Sequence, residues 1–132
     1  MATIEFKRPR VLNEWDSGDI DNRLKFIIYS LAGYMRTRDF HGVRITQIIR
    51  TEEENREVGG VANSKHLTGE GIDVNPPRNF PKASWFKWRM LAKMYINKHL
   101  EGVDAVIHGA GSNEHVHVEI DVKPPEVDVR LI

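Results

Sequence analysis

The sequence predicts an α+β fold: a mostly antiparallel sheet with helices on one face. Three observations point there. Two segments repeat apolar residues at helical spacing, four shorter ones are β-branched or alternating, and the last two of those are joined by a hairpin-length loop. The order helix, strand, long loop, strand, helix, strand, strand is an α+β pattern. No repeat, low-complexity tract or linker divides the chain, so residues 1–132 read as a single domain. A chain of this length buries a core without staples.

The first helix is expected over residues 21–36, where Leu24, Ile27, Ile28, Leu31 and Met35 form one stripe and Asp19 or Asp21 supplies the N-cap. Residues 42–50, "GVRITQIIR", are β-branched and bounded by Gly42, which predicts a strand. A polar loop follows, in which Glu52-Glu53-Glu54 suits a solvated turn or the start of a short helix. "EGIDV" reads as a short strand stopped by Asn75-Pro76-Pro77. A second helix is expected from Ser84 to about Leu100, burying Trp85, Trp88, Leu91, Ala92 and Tyr95, with Gly102 just past its end. Strands at 103–108 and 115–122 close the fold around the loop "GAGSNE".

Composition narrows the function. Nineteen basic and nineteen acidic residues cancel, which argues against a protein that holds nucleic acid by counterion release. With no cysteine, disulfides, thiolate metal sites and thiol nucleophiles are all excluded, so a metal must be held by histidine and carboxylate. The N-terminal "MATIEFKRPRVLNEWD" has no apolar signal-peptide core, and no apolar run is long enough for membrane insertion. These features predict a protein made in the cytoplasm without an export address, and nothing points to an obligate protein partner.

The chemistry gathers in "VGGVANSKHLTGEGIDVNPP" and "EHVHVEID". Alternation along the last strand turns Val116, Val118 and Ile120 to the core and puts His115, His117 and Glu119 on the opposite face. The same rule turns Ile72 and Val74 inward and Asp73 outward. If the two strands are neighbours, Asp73 and His117 share a surface that His66 can reach from the preceding loop. Two histidines and an aspartate are a standard zinc set, and an open fourth position for water is what hydrolysis needs. Glu114, three residues before His117, is placed to act as general base on that water and then as acid toward the leaving amine. Arg50, at the end of its strand, offers a guanidinium for a substrate carboxylate or an oxyanion. His115 shares the face of His117 and stands as an alternative ligand, a stabiliser of the tetrahedral intermediate, or a half-exposed strand residue.

Together these segments resemble the zinc peptidases of the D-alanyl-D-alanine carboxypeptidase and phage endolysin group, which share the hedgehog/DD-peptidase fold. The group's Ser-x-His-x-x-Gly-x-x-x-Asp signature is met by Ser64, His66, Gly69 and Asp73. Its second signature, an acidic residue three before a histidine, is met by Glu114 and His117, and its strand-end arginine by Arg50. The resemblance spans residues 43–122. It implies one Zn²⁺ held by His66, Asp73 and His117, Glu114 as catalytic base, and D-amino-acid-containing peptides of peptidoglycan as substrates. Two positions depart from the pattern: Gln47-Ile48-Ile49 stands where Ser-Gly-Tyr precedes the arginine, which alters the substrate rim, and Gly71 stands where alanine is frequent. A chain without a signal sequence fits a phage lysin acting on the cell wall after release better than a periplasmic carboxypeptidase.

Blander readings compete residue by residue. Alone, His66 would be a loop histidine capping a turn and Asp73 a solvated strand residue; their register with Ser64 and Gly69 favours ligation. Ser64 is expected to orient the loop or a ligand rather than attack as a nucleophile. His108 is assigned a structural role, and His41 and His99 the surface. The rival function is a non-catalytic module that keeps the fold, and even the metal, to bind cell-wall peptide or a protein. Such a binder would have no use for Glu114.

Overall fold

A computed structural model describes residues 2–122 and 128–131. Its sheet has five strands in the order β1-β2-β3-β5-β4. These are β1 (Thr3–Phe6), β2 (Gly42–Gln47), β3 (Gly71–Asn75), β4 (Val103–His108) and β5 (His115–Ile120). β1 and β2 run parallel, while β2–β3, β3–β5 and β4–β5 are antiparallel, so the mostly antiparallel sheet is as expected. The four helices are α1 (Pro9–Asp16), α2 (Asn22–Thr37), α3 (Glu52–Glu57) and α4 (Trp85–His99).

The core forms because one strand face is apolar and the long helices each carry an apolar stripe. Val43, Ile45, Ile72, Val74, Val116, Val118 and Ile120 are buried together with Leu24, Ile28, Leu31 and Met35 of α2. α4 contributes Trp88, Ala92 and Ile96, and the Trp88 indole N–H donates to the Gly42 carbonyl at 3.1 Å. Asp21, rather than Asp19, caps α2, its carboxylate accepting from the Arg23 N–H at 2.9 Å. On the expected buried face of α4, Leu91 and Tyr95 pack half-buried against the core, while Trp85 is half-buried without joining it. Trp85 sits in the first turn with its N–H on the Phe80 carbonyl, and Tyr95 stacks on Tyr34 at the helix border.

Two larger differences concern the ends of elements. The first twenty residues hold β1 and α1, neither of which the sequence reading assigned. Val11 and Trp15 of α1 join the core, and Pro9 begins the helix where a missing N–H costs nothing. The strand expected over 42–50 ends at Gln47, because a bulge interrupts its ladder: Ile45 pairs with Val74 but Gln47 pairs with Asp73. The extra residue lets Ile45 and Ile48, three apart, both be fully buried, and puts Gln47 in line with Asp73.

Candidate metal centre

The site is built around the central pair of strands. Asp73 on β3 lies directly opposite His117 on β5, on the face away from the helices. His66 arrives from a short turn, Lys65–Leu67, whose first N–H groups need a cap. Ser64 supplies it by accepting from the His66 N–H at 3.3 Å. The turn is then stapled to the chain beyond β2: the Arg50 N–H donates to the His66 carbonyl at 3.0 Å, and His66 Nδ1 lies 2.7 Å from the Ile48 carbonyl. Gly69 permits the return to β3. Its φ is +70°, and a Cβ there would run into the Asp19 carbonyl.

One ligand atom from each of His66, Asp73 and His117 lies within 4.8 Å of the others, so the three could hold a metal ion. His66 and Asp73 are buried, so this part of the face is not open as expected. The hydrogen-bond pattern tests whether a cation fits. A carbonyl only accepts, so His66 Nδ1 carries the hydrogen that Ile48 receives. That leaves the Nε2 lone pair aimed at Asp73 Oδ1, 3.0 Å away. His117 lies between two carboxylates, with Nδ1 2.9 Å from Asp73 Oδ1 and Nε2 3.2 Å from Glu119 Oε1, though a neutral ring can donate to only one. His115 donates from Nδ1 to the Asn113 carbonyl at 2.7 Å and turns Nε2 to within 3.6 Å of Asp73 Oδ2. Electron pairs therefore converge where only a positive charge, a proton or a metal, reconciles them. The donor set of imidazoles and carboxylate without thiolate is one that zinc accepts.

The electrostatics agree. Burial alone would raise the Asp73 carboxyl, but the His117 hydrogen bond and, once a proton sits on its Nε2, that of His66, with the charges around it, hold it well below the usual carboxylate range. Burial tends to lower His117, yet its bond to Asp73 and the nearby Glu119 prevail and raise it above its ordinary 6.5. Glu119 is itself pushed up by burial and by its hydrogen bond with Asp121, with His117 opposing. Glu119 is thus a partner that fixes the outer nitrogen of His117, which the sequence reading placed on the right face without giving it a task.

The remaining expected residues lie around this centre. Arg50 donates to Asn55 Oδ1 at 2.7 Å and Gln47 Oε1 at 3.0 Å, and its Nε is buried without a partner. Both partners are neutral amides, so the described residues leave its charge unpaired. Asn55, buried on α3, also donates to the Val61 carbonyl at 2.7 Å. A polar side chain in a loop of charged residues gave no sequence signal for this. Glu114 precedes β5 with Oε1 2.9 Å from Arg89 Nη1, and does not belong to the three-residue cluster. His108, exposed at the end of β4, has its ring 5.8 Å from that of His117 and 6.2 Å from that of His115.

The family model described as Peptidase M15 matches residues 13–121, most of the chain and all of these residues. The chain belongs to the Peptidase M15 family. No curated protein and no solved structure matches it significantly. M15 peptidases are zinc-dependent, in keeping with the His66–Asp73–His117 group. Among the described residues no helix is long and apolar enough to cross a membrane.

Proposed function

We propose that this M15 member is a one-zinc peptidase that hydrolyses amide bonds in the D-amino-acid-containing stem peptides of peptidoglycan, as a phage-type endolysin or carboxypeptidase of DD or LD specificity. The observation that carries the reading is the convergence of His66 Nε2 and His117 Nδ1 on one oxygen of Asp73. When bound there, zinc supplies Lewis acidity to the scissile carbonyl and to the attacking water. Glu114 takes the proton of that water and returns it to the leaving amine. Of the Glu114 carboxylate Arg89 engages only Oε1, and Oε2 carries no hydrogen bond among the described residues. Arg50, whose partners are neutral amides that leave its charge unmatched, binds a substrate carboxylate. Ser64 keeps the His66 turn in place, Gln47 borders the substrate beside Asp73, and His115 faces the reacting carbonyl as a donor or a further ligand.

The test is mass spectrometry of fragments released from defined muropeptides, with the protein zinc-loaded or stripped by chelator. Release that needs zinc supports the reading and reports the bond cut. Glu114→Ala is expected to abolish turnover while keeping zinc content and folding, and cleavage at the parental rate would remove Glu114 from its role. Stoichiometric zinc binding without any cleavage would favour a non-catalytic wall-binding module instead.

A further inference from the structure

We propose that Arg89 is the positioning residue for Glu114, a clamp from α4 that fixes the carboxylate of the residue just before β5. The inference rests on the peptidase reading above and deepens it.

Arg89 is a buried charge at a position where a helix would ordinarily carry an apolar residue, only 6% exposed. Such a group is retained only when its donors are spent on good acceptors. Here Nε donates to Asn75 Oδ1 at 3.0 Å, Nη1 to Glu114 Oε1 at 2.9 Å and Nη2 to the Glu114 backbone carbonyl at 2.9 Å. The guanidinium also lies 5.5 Å from the centre of the Trp85 ring, which backs it from the same helix. Side chain and main chain of one residue are thus gripped by one planar fork, which determines both where Glu114 starts and where its carboxylate points.

The grip matters because of what precedes it. The loop from His108 to Glu114 contains Gly109 and Gly111, both at positive φ, and the Gly111–Asn113 turn has no side-chain cap. Left alone, such a loop would let Glu114 sample many orientations. Asn75 ends the strand that carries Asp73, so the same guanidinium ties the ligand strand β3 to the residue that opens β5. Arg89 acts on the reaction only through Glu114.

The experiment compares zinc-loaded wild type, Arg89→Lys, Arg89→Met, Glu114→Gln and the Arg89→Met/Glu114→Gln double variant on a defined muropeptide. Zinc content and Tm are measured in parallel. Arg89→Met is expected to lower kcat roughly tenfold to a hundredfold at nearly unchanged KM and zinc content, the scale of a misplaced catalytic group. Arg89→Lys, which can reach the carboxylate but not all three acceptors, should recover part of that loss. In the Glu114→Gln background the Met substitution should cost nothing further. Equal proportional losses in both backgrounds, or a change confined to KM, would overturn the assignment. Amide exchange supplies a readout without turnover: residues 109–114 should exchange faster in Arg89→Met while 66–73 stay as in wild type. Unchanged exchange at 109–114 sinks the clamp. A wild type that cleaves nothing defeats the peptidase reading, and the exchange comparison then decides the clamp by itself.

Discussion

Gly69 shows how tightly a single residue is constrained by the site. Its positive φ and its contact with the Asp19 carbonyl leave no space for a methyl group, while its own carbonyl accepts from the Asp21 N–H at 2.9 Å. Gly69→Ala is expected to destabilise the protein by about 2–4 kcal/mol, combining the left-handed penalty with overpacking. Urea unfolding would measure it, and a loss under about 0.5 kcal/mol, the ordinary surface range, would contradict the account. His117 makes a second residue-scale case. Its raised pKa means that, without metal, the protonated ring beside Asp73 contributes stability that is full below 6.5 and is lost as pH rises through the folded value. Zinc requires the deprotonated nitrogen, so the two effects oppose each other. Zinc affinity should therefore rise with pH across that window, with proton release on binding. Calorimetric titrations in buffers of different ionisation enthalpy would detect it, and a pH-independent affinity would contradict it.

At the scale of elements, α1 braces the segment that follows β2. Arg10 pairs in bidentate fashion with Glu54, the capping-box residue of α3, at 2.6 and 2.7 Å. Glu14 accepts from the Ile49 N–H at 3.3 Å and from Arg10 at 3.0 Å. The helix thus holds the segment that bears Arg50 and Asn55. Glu14→Ala should cost about 1.5–3 kcal/mol, the value of a hydrogen bond to a charged group, and should weaken substrate binding more than zinc binding. A KM that does not move would show that α1 is packing alone. Elements with long periods were legible: α2 and α4 show the 3.6 repeat, and β5 alternates strictly over His115–Ile120. β1 and α1 were not, since four and eight residues carry too little periodicity, and β1 finds its place only by pairing with a distant strand. Pro9 before Val11 and Trp15, four apart, was the signal that would have found α1. The early end of β2 was hidden because a bulge is decided by the partner strand and not by local propensity.

For the whole molecule, the site was more legible than its surroundings. Alternation and motif spacing bring Asp73, His117 and His66 together from the sequence alone, because strand faces have a fixed period. Arg89 escaped, since an arginine in an amphipathic helix is read as solvated unless its acceptors are known, and Asn75 and Glu114 are far from it in sequence. The same convergence predicts that stability depends on metal. If zinc binds the folded chain alone, free zinc at a hundredfold excess over Kd adds about 2.7 kcal/mol. Chelator should lower Tm and zinc should restore it, and a Tm indifferent to both would argue against a native metal centre.

Asp73 and His117, two of the three candidate ligands, sit on the strands at positions three and four of the five-strand order, with His66 stapled beside them. No fragment or half-formed sheet possesses a chelating pocket. Ion capture during refolding would therefore come late, together with the final cooperative step, and a chain stalled earlier would take up no ion at all.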